Sequence, residues 1–411
     1  MNLKKHLNIG LFTDVYYPSI SGVVVAVDTL RKTLEKEGHK VYIITMNNDP
    51  KSHKYIKKGN VLMIPGVPIG IYDYSLNFLY PFKAVNYIKK LNLDIIHAHT
   101  EFGMGLLAKI MSKKLDIPLV HTYHTIYEES VDYVTKGWFP NTSKKILKTY
   151  MKSYFSKTVK EVITPTKKSK DFLKNTYHLK QNINIIPNGI DTEKFNINNL
   201  KSSKLEKLRK THNLNKDDFV ITWVGRLGYE KRIDVLIEGF KIINQKYKNT
   251  KLLIVGGGPE EEKLKELSRN LNISDNVIFT GKTDYNDVPY YYNLSNILAS
   301  ASHYETQGLT LMEAFSAKIP GVVVNDKSFT PIVKNGINGM IFKNKKDYAN
   351  AVIYLIENKN IYNAMKENAY KLSYNYSLPC FAAKILYVYN KAISDYKEKN
   401  KVEKKLYFFY N

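Results

Sequence analysis

Short apolar runs alternate with amphipathic stretches along most of this 411-residue chain. Each run has four to six residues and no polar alternation, which is typical of strands buried on both faces of a parallel sheet. The predicted strands are 7–12, 41–45, 95–99, 118–122, 162–165, 219–224, 251–255, 277–280, 296–300 and 321–324. The predicted helices are 23–37, 83–91, 104–115, 234–247, 260–271, 309–317 and 381–393. This alternation indicates an α/β protein with helices on both faces of its sheets.

The strand–helix pattern occurs twice, and residues 188–217 between the two halves are rich in Asn, Lys and Ser without a strand pattern. Such a segment is typical of a linker. We therefore expect two doubly wound, Rossmann-like domains facing across a cleft, with ligands at the carboxyl ends of the strands. The expected domains are residues 1–190 and 191–379, with a last helix of about 380–411 packing back onto the first domain.

The net charge of +24 is concentrated in one part of the chain, since residues 51–180 carry 22 Lys and Arg against 9 Asp and Glu. A concentrated basic surface attracts nucleic acid, an anionic membrane or phosphorylated substrates. A biased genomic base composition could also produce many lysines, so the charge alone leaves these alternatives open. No zinc-finger spacing or aromatic RNA-recognition pattern supports nucleic acid, which we expect not to be a partner.

The single cysteine, Cys380, excludes an intrachain disulfide and suits a reducing compartment. The N-terminus does not resemble a signal peptide, and no apolar run approaches the roughly 18 residues of a membrane span. We therefore expect a cytoplasmic protein, or one bound peripherally to the inner face of the cell membrane.

Residues 144–160 contain six lysines and no acidic residue, and their apolar side chains gather on one side of a helical wheel. A basic amphipathic helix of this kind is typical of a membrane-surface anchor, with Lys144, Lys145, Lys148 and Lys152 meeting the anionic leaflet. A helix that packs its apolar side into the core and leaves its lysines in solvent explains the pattern equally well.

Two basic residues follow the predicted strand 219–224 in the loop Gly225-Arg226-Leu227-Gly228-Tyr229-Glu230-Lys231. Arg226 and Lys231 could converge on phosphate oxygens at the end of the strand. An ordinary solvated loop is the alternative.

Two acids, Glu305 and Glu313, flank Gly308 where the predicted strand 296–300 leads into a helix. The free N–H groups at a helix N-terminus suit a diphosphate, and Gly308 lets a ligand approach the backbone. Carboxylates eight positions apart could each accept hydrogen bonds from sugar or ribose hydroxyls. An ordinary helix start with nearby acids is the alternative.

In the first half, Gly22 lies between the first strand and first helix, where glycine lets the backbone approach a phosphate. Four histidines, His97, His99, His121 and His124, follow or end two strands without a recognised metal-ligand pattern. For His97 and His121 an ordinary core or cleft histidine is the alternative. His124 lies just beyond a strand end, where active sites concentrate.

Taken in order, these segments resemble the retaining, nucleotide-sugar-dependent glycosyltransferases of the GT-B fold, family 4. The resemblance covers nearly the whole chain. Its parts are Gly22, Pro187-Asn188-Gly189-Ile190-Asp191, Gly225-Arg226 with Glu230-Lys231, Gly256-Gly257-Gly258-Pro259, and Glu305 with Glu313. Residues 12–23 and 121–128 are similar to the diacylglycerol glucosyltransferases of low-GC bacteria, although Lys318 stands where the family usually has glycine.

The resemblance implies a role for each matching residue. Arg226 and Lys231 would clamp the diphosphate, Glu313 would hold the ribose, and Gly22 would admit the β-phosphate. Glu305 would hold the donor sugar together with backbone at the helix start. His124 would line the reacting face. The remaining donor-binding residues implied by the resemblance are Gln307, Gly308, Leu309 and Thr310.

The implied activity is transfer of glucose from UDP-glucose to 1,2-diacylglycerol, with retention, at an anionic membrane. Transfer of galactose or mannose to a glycolipid or polysaccharide precursor is the alternative. Arg and Lys can stabilise the leaving diphosphate without a metal. We therefore expect no tightly bound cofactor and no metal site, although a divalent metal could stimulate the reaction.

Overall fold

The computed structural model describes residues 5–19, 21–47, 54–68, 75–76, 82–124, 140–155, 158–303 and 307–410. Backbone contacts divide the chain into two compact units. The N-terminal unit comprises Met1–Gly189 and Phe381–Asn411, and the C-terminal unit comprises Ile190–Cys380.

The strands are β1 (Asn8–Thr13), β2 (Lys40–Asn47), β3 (Ile56–Lys58), β4 (Val61–Pro65), β5 (Val67–Pro68), β6 (Ser75–Leu76), β7 (Ile95–Ala98), β8 (Leu119–Thr122), β9 (Val159–Thr164), β10 (Asn182–Ile185), β11 (Phe219–Val224), β12 (Thr250–Val255), β13 (Val277–Phe279), β14 (Ile297–Ser300), β15 (Gly321–Val324) and β16 (Gly339–Phe342). The helices are α1 (Gly22–Lys36), α2 (Phe82–Lys89), α3 (Gly103–Leu115), α4 (Pro140–Phe155), α5 (Lys167–Tyr177), α6 (Ser202–Thr211), α7 (Ile233–Lys246), α8 (Glu261–Asn270), α9 (Val288–Asn293), α10 (Leu309–Ser316), α11 (Lys345–Glu357), α12 (Lys359–Ser373) and α13 (Leu378–Tyr410).

Each unit is built on one large sheet. The N-terminal sheet has the order β10-β9-β8-β7-β1-β2-β4-β3, and its strands pair in parallel except at the β3–β4 edge. The C-terminal sheet has the order β13-β12-β11-β14-β15-β16 and is parallel throughout. The predicted α/β class with doubly wound sheets is therefore confirmed.

Consecutive strand residues enter opposite cores, which explains why the strand sequences are continuously apolar. In the N-terminal unit Leu11 and Ile43 pack on one side of the sheet with α1 and α13, and Phe12 and Ile44 pack on the other. In the C-terminal unit the side chains of β11 and β12 likewise divide between two buried clusters. With apolar layers on both faces, polar chemistry is left to the strand ends.

Several helices begin where a polar side chain satisfies an otherwise unpaired backbone amide. The Ser21 hydroxyl accepts a hydrogen bond from the Val24 amide at 3.3 Å, at the start of α1. The amide oxygen of Asn344 accepts from two backbone N–H groups at 2.9 and 3.0 Å, at the start of α11. These caps explain why the helical segments start where they do.

The sequence pattern predicted one helix over the basic segment 144–160, but the structure divides this segment between a helix and a strand. Helix α4 ends at Phe155 and strand β9 begins at Val159, so Lys160 belongs to a strand. Val159 and Val162 are buried in the sheet, and this β-branched run favours a strand over a further helical turn.

Gly239 lies inside α7, where alanine would normally be the better helix former by up to about 1 kcal/mol. A Cβ at this position would lie 2.5 Å from the Tyr348 ring and 2.8 Å from the Lys345 carbonyl oxygen. Because backbone cannot swing away as a side chain can, we expect Gly239→Ala to destabilise the protein by about 1–3 kcal/mol.

The matched control is Gly22→Ala, at the first position of α1, where a Cβ would meet no heavy atom of the described residues within 4 Å. Thermal unfolding should show a lower Tm for Gly239→Ala and an unchanged or slightly higher one for Gly22→Ala. Equal Tm values for Gly239→Ala and the wild type would contradict the packing described here.

Candidate functional site

Two loops that the sequence singled out leave the C-terminal sheet from neighbouring strands. Strands β11 and β14 are adjacent, and from them the chain continues outward in opposite directions, to β12 and to β15. This is the topological switch point, where open α/β sheets bind ligands beyond the carboxyl ends of their strands. Residues 225–231 follow β11 and residues 301–308 follow β14, so both loops begin at this edge.

The first loop is held by its backbone. The Gly225 amide donates to the Val255 carbonyl at 2.9 Å, and the Leu227 amide donates to the Gly257 carbonyl at 3.1 Å. Gly256 has a φ of 126°, and a Cβ there would lie 1.9 Å from the Gly225 carbonyl oxygen. The glycines therefore allow the loop after β11 to approach the loop after β12 closely, and backbone hydrogen bonds between these two loops fix the course of the loop after β11.

Arg226 and Lys231 lie on this loop, with Lys231 ending a short 3₁₀ turn before α7. The Arg226 guanidinium is 65% exposed and pairs with the Glu230 carboxylate at 2.8 Å. An exposed ion pair of this kind contributes little stability. It can therefore be exchanged for a diphosphate, which offers more acceptor oxygens and more charge.

The second loop ends in a helix start. Gly308 adopts the left-handed conformation with a φ of 66° and precedes α10, whose first residues are Leu309 and Thr310. Gln307 is buried beside this turn, whereas Leu309 is 40% exposed. The first amides of a helix have no partner within the helix and carry partial positive charge. Glu305 lies outside the described residues.

Glu313 is buried in α10 but hydrogen-bonded on both carboxylate oxygens. Tyr285 donates to one oxygen at 2.8 Å, and Tyr292 donates to the other at 3.0 Å. Burial raises the pKa of Glu313 to about 7, while the two tyrosine hydrogen bonds and the charge of Lys194 oppose that rise. A carboxyl group poised in this way can accept additional hydroxyl groups when ionised.

The residues that support Glu313 come from separate parts of the chain and were missed in the sequence. Tyr292 belongs to α9, Tyr285 precedes that helix, and the ammonium of Lys194 lies 4.0 Å from the centroid of the Tyr285 ring. Their spacing from Glu313 follows no periodicity. The only available signal was that a buried carboxylate needs hydrogen-bond donors, which the tyrosine run 290–292 could supply.

The histidines gather at the carboxyl ends of β7 and β8 in the N-terminal unit. The His97 and His99 rings lie 4.1 Å apart, and Nδ1 of His99 lies 3.0 Å from Nε2 of His124. His121 is bonded to the Glu101 carboxylate at 2.8 Å and to the Tyr154 hydroxyl at 3.1 Å. Only His124 of the four is not fully buried.

Two further positions complete the carboxyl edge of the N-terminal sheet. Gly22 begins α1, and Asp14 follows β1. The Asp14 carboxylate accepts a hydrogen bond from the Met104 amide at 2.6 Å, which fixes the start of α3. Burial raises the pKa of Asp14 to about 6. The sequence contained Asp14 in a loop, but its partner is 90 residues away and could not be inferred from it.

The lysines predicted to meet a membrane lie on α4. Lys145 and Lys152 are exposed, and Lys144 and Lys148 are half-buried. The apolar side of the helix packs into the core through three fully buried residues: Met151, Tyr154 and Phe155. Ile146 is 65% exposed. The structure therefore supports the interpretation in which the helix packs its apolar side into the core. Most of that side is buried against the N-terminal unit.

Within the part of the chain that the structure describes, no group of three or more His, Cys, Asp or Glu side chains is arranged to hold a metal ion. No helix among those residues is both long and apolar enough to span a membrane.

Each half of the chain matches the model of a known glycosyltransferase family. Residues 20–194 match "Glycosyltransferase Family 4" and residues 205–372 match "Glycosyl transferases group 1". The chain is 34% identical over 348 residues to the alpha-monoglucosyldiacylglycerol synthase of Streptococcus pneumoniae, covering 84% of this chain and 78% of that protein. It is 34% identical over 369 residues to the enzyme of the same name from Acholeplasma laidlawii, covering 88% and 92%.

Among solved structures, the Anabaena protein HepE resembles this chain over 93% of its length and 99% of its own. The TM-score is 0.71 at 18% identity for its complex with UDP, and 0.67 at 19% identity for its complex with UDP-glucose. At this identity the likeness concerns the fold, which is the GT-B fold of two Rossmann-like domains. Given the two relatives at 34% identity over more than four fifths of its length, the chain belongs to glycosyltransferase family 4 and is a hexosyltransferase.

Proposed function

We propose that this protein transfers glucose from UDP-glucose to the free hydroxyl of 1,2-diacylglycerol and forms an α-linked membrane glycolipid. The observation that carries the proposal is the 34% identity, over most of the chain, to two proteins named alpha-monoglucosyldiacylglycerol synthase. The geometry at the β11–β14 switch point supports a nucleotide-sugar donor, as do the UDP and UDP-glucose complexes of the structural neighbour HepE.

In the C-terminal unit, separate groups are available for the diphosphate, the ribose and the glucosyl group of UDP-glucose. Arg226 and Lys231 supply positive charge for the diphosphate, and the α10 amide groups after Gly308 add a partial positive charge. Glu313 accepts the ribose hydroxyls. Gln307, Leu309 and Thr310, with Glu305, hold the hydroxyls of the glucosyl group.

Gly22 supports the same assignment in the N-terminal unit. Its backbone does not require glycine, since a Cβ there would meet no described heavy atom within 4 Å and its φ is not in the left-handed region. Glycine at the exposed start of α1 leaves room for a ligand to approach the backbone. We assign that ligand as the β-phosphate of the donor.

The reaction breaks the bond between the anomeric carbon and the β-phosphate oxygen, and forms a bond from that carbon to the lipid hydroxyl oxygen on the same face. The leaving phosphate takes the hydroxyl proton, so the anomeric configuration is retained without an enzymic nucleophile. Arg226 and Lys231 stabilise the charge that develops on the leaving UDP. For His124 we propose the role that the family resemblance implies, which is to line the reacting face.

Contact with an anionic bilayer is assigned to the exposed edge of α4. The apolar side of its second half is buried, so the contact relies on Lys145, Lys152 and the half-buried Lys144 and Lys148; among the described side chains of α4, Ile146 is the strongly exposed apolar one. A lysine near an anionic leaflet contributes about 1 kcal/mol, and salt screens the contact. The enzyme would thus bind peripherally, on the cytoplasmic face, where nucleotide sugars occur.

The proposal is tested with the full-length protein, diacylglycerol in phosphatidylglycerol-containing vesicles and a panel of UDP-sugars. We expect one lipid product, formed from UDP-glucose, with the mass of a monohexosyl diacylglycerol. A product formed only from another sugar would overturn the donor assignment, and glycosylation only of a lipid-extract component other than diacylglycerol would overturn the acceptor assignment.

Removing Lys231, assigned to the diphosphate, or Glu305, assigned to the donor sugar, should abolish transfer without releasing the protein from membranes. We expect Lys231→Ala and Glu305→Ala each to lower kcat/KM by about 100-fold or more, because each removes a charge-assisted contact with the donor. Vesicle sedimentation should be unchanged. The control is Lys248→Ala, an exposed lysine beyond α7 at the opposite, amino edge of β12. Loss of vesicle binding in Lys231→Ala or Glu305→Ala would contradict the assigned roles.

The ionisation of Glu313 should appear in the pH dependence of donor binding. Its pKa of about 7 means that the carboxylate form, which accepts two ribose hydroxyls, is lost as the pH falls below 7. We expect KM for UDP-glucose to rise as the pH falls from 8 to 6. In Glu313→Gln, KM should be about 10- to 100-fold higher at pH 8 and nearly independent of pH in that range. A variant that keeps the wild-type KM profile would exclude Glu313 as the ribose ligand.

Reversing charge on α4 should weaken membrane binding and leave donor binding intact. We expect the triple variant Lys145→Glu, Lys148→Glu, Lys152→Glu to bind phosphatidylglycerol vesicles at least about tenfold more weakly, with an unchanged Kd for UDP. The control makes the same charge change at three exposed lysines of the C-terminal unit: Lys207, Lys210 and Lys248. Equal binding by both triple variants would show that net charge, and not this helix, determines adsorption.

A further inference from the structure

The four histidines at the carboxyl ends of β7 and β8 differ in how their ring nitrogens are occupied. His97 is bonded on both nitrogens, to the Tyr389 hydroxyl at 2.6 Å and to the Thr122 hydroxyl at 2.7 Å. His121 is also bonded on both nitrogens, to Glu101 and Tyr154. These two rings are fixed structural members of the unit, and the remaining pair is His99 and His124.

His99 and His124 share one hydrogen bond, with Nδ1 of His99 3.0 Å from Nε2 of His124. Burial and the neighbouring histidines lower the pKa of both rings, so both are neutral at physiological pH. A neutral imidazole carries one proton, and one of the two facing nitrogens must donate it to the other. The bond therefore couples the tautomers of the two rings.

The surroundings of His99 decide which ring donates. Its Nε2 is buried and has no hydrogen-bond partner among the described residues. The small cavity beside the two rings is lined mostly by apolar side chains, among them Leu30, Ile163 and Phe381. In such a setting a bare ring nitrogen costs less than an unsatisfied N–H group, because orphaned buried donors are rarer than under-satisfied acceptors. These surroundings favour a proton on Nδ1 of His99, which makes His99 the donor to His124.

We propose that His99 is a positioning residue that holds His124 as the Nδ1–H tautomer, so that His124 meets the substrate only as a hydrogen-bond donor. Its Nε2 lone pair is taken up by His99, and its remaining nitrogen carries a proton. His124 in this state can donate to a sugar hydroxyl or an anionic oxygen, but it cannot accept the proton of the lipid hydroxyl.

This inference rests on the proposed function for its catalytic consequence, and it sharpens that function in one respect. If His124 has no free lone pair, the acceptor proton goes to the leaving phosphate and not to a histidine base. The opposite tautomer pair, with His124 donating from Nε2, would leave Nδ1 of His124 free to act as a base. The position of a single proton thus distinguishes two mechanisms.

The direct test is long-range ¹H–¹⁵N correlation spectroscopy of the full-length protein labelled with ¹⁵N-histidine, at neutral pH and without substrate. His124 is assigned by comparison with His124→Gln. We expect protonation on Nδ1 and a bare Nε2 at His124. Protonation on Nε2 of His124 would overturn the inference whether or not the protein glycosylates diacylglycerol.

Three variants separate positioning from packing. His99→Phe keeps a ring against His97 but removes the donor, so the Nδ1–H tautomer of His124 should no longer predominate. His99→Asn can place its amide N–H near the lost Nδ1–H and should restore that tautomer. Tyr389→Phe is the matched control, because it removes a buried hydrogen bond of His97 and leaves the His99–His124 bond in place.

In the transfer assay we expect His99→Phe to lower kcat about tenfold with little change in the KM for UDP-glucose. His99→Asn and Tyr389→Phe should stay within about threefold of wild type, and melting curves show which variants fold. An unchanged His124 tautomer in folded His99→Phe would overturn the inference. A shifted His124 tautomer with an unchanged kcat would support the inference about the tautomer, and it would show that His124 has no role in the proposed reaction.

Discussion

Both faces of each large sheet are buried, and this burial determines where polar side chains can lie. Each strand supplies side chains to two apolar layers, as Leu11 and Phe12 do, so polar groups inside a sheet would lack partners. Chemistry is therefore confined to the strand ends. At the β11–β14 switch point the chain also continues to strands on opposite sides, which gives a ligand access to two loops at once. The basic loop after β11 and the start of α10 occupy this place.

The same constraint explains why the candidate site residues depend on distant parts of the chain. A carboxylate or an imidazole at a buried strand end must be satisfied by whatever the fold brings next to it. Glu313 is held by Tyr285 and Tyr292, and His97 is held by Tyr389 of the last helix. In both units, hydroxyl groups from distant parts of the chain support a buried polar group: Glu313, which we assign to the substrate, and His97, whose ring lies 4.1 Å from that of His99. Burial raises the pKa of Glu313 to about 7, and the two tyrosine hydrogen bonds oppose that rise, so the surroundings of the carboxyl group also set its protonation.

The sequence predicted the parts of the fold that local pattern determines. Every predicted strand has a counterpart, and helices such as α1 and α10 begin within one residue of expectation. Strand β16, helices α11 and α12 and the antiparallel β3–β4 edge were not predicted. Strand β3 has only three residues, which is too short to carry a periodic signal. The basic segment 144–160 was assigned to one helix, although an apolar β-branched run ends it. Lys318, where the family usually has glycine, has a φ of 60° and so keeps the left-handed conformation.

Motif order in the sequence indicated the family, which the relatives at 34% identity confirm, but sequence could not place the supporting residues. Tyr389 lies 292 positions from His97, and no spacing rule links them. If UDP-glucose is held at the β11–β14 switch point, a crystal structure of the protein with UDP should show the diphosphate at Arg226 and the start of α10. The ribose hydroxyls should be hydrogen-bonded to Glu313. Ribose bound away from Glu313, or a diphosphate bound away from that loop, would contradict this placement.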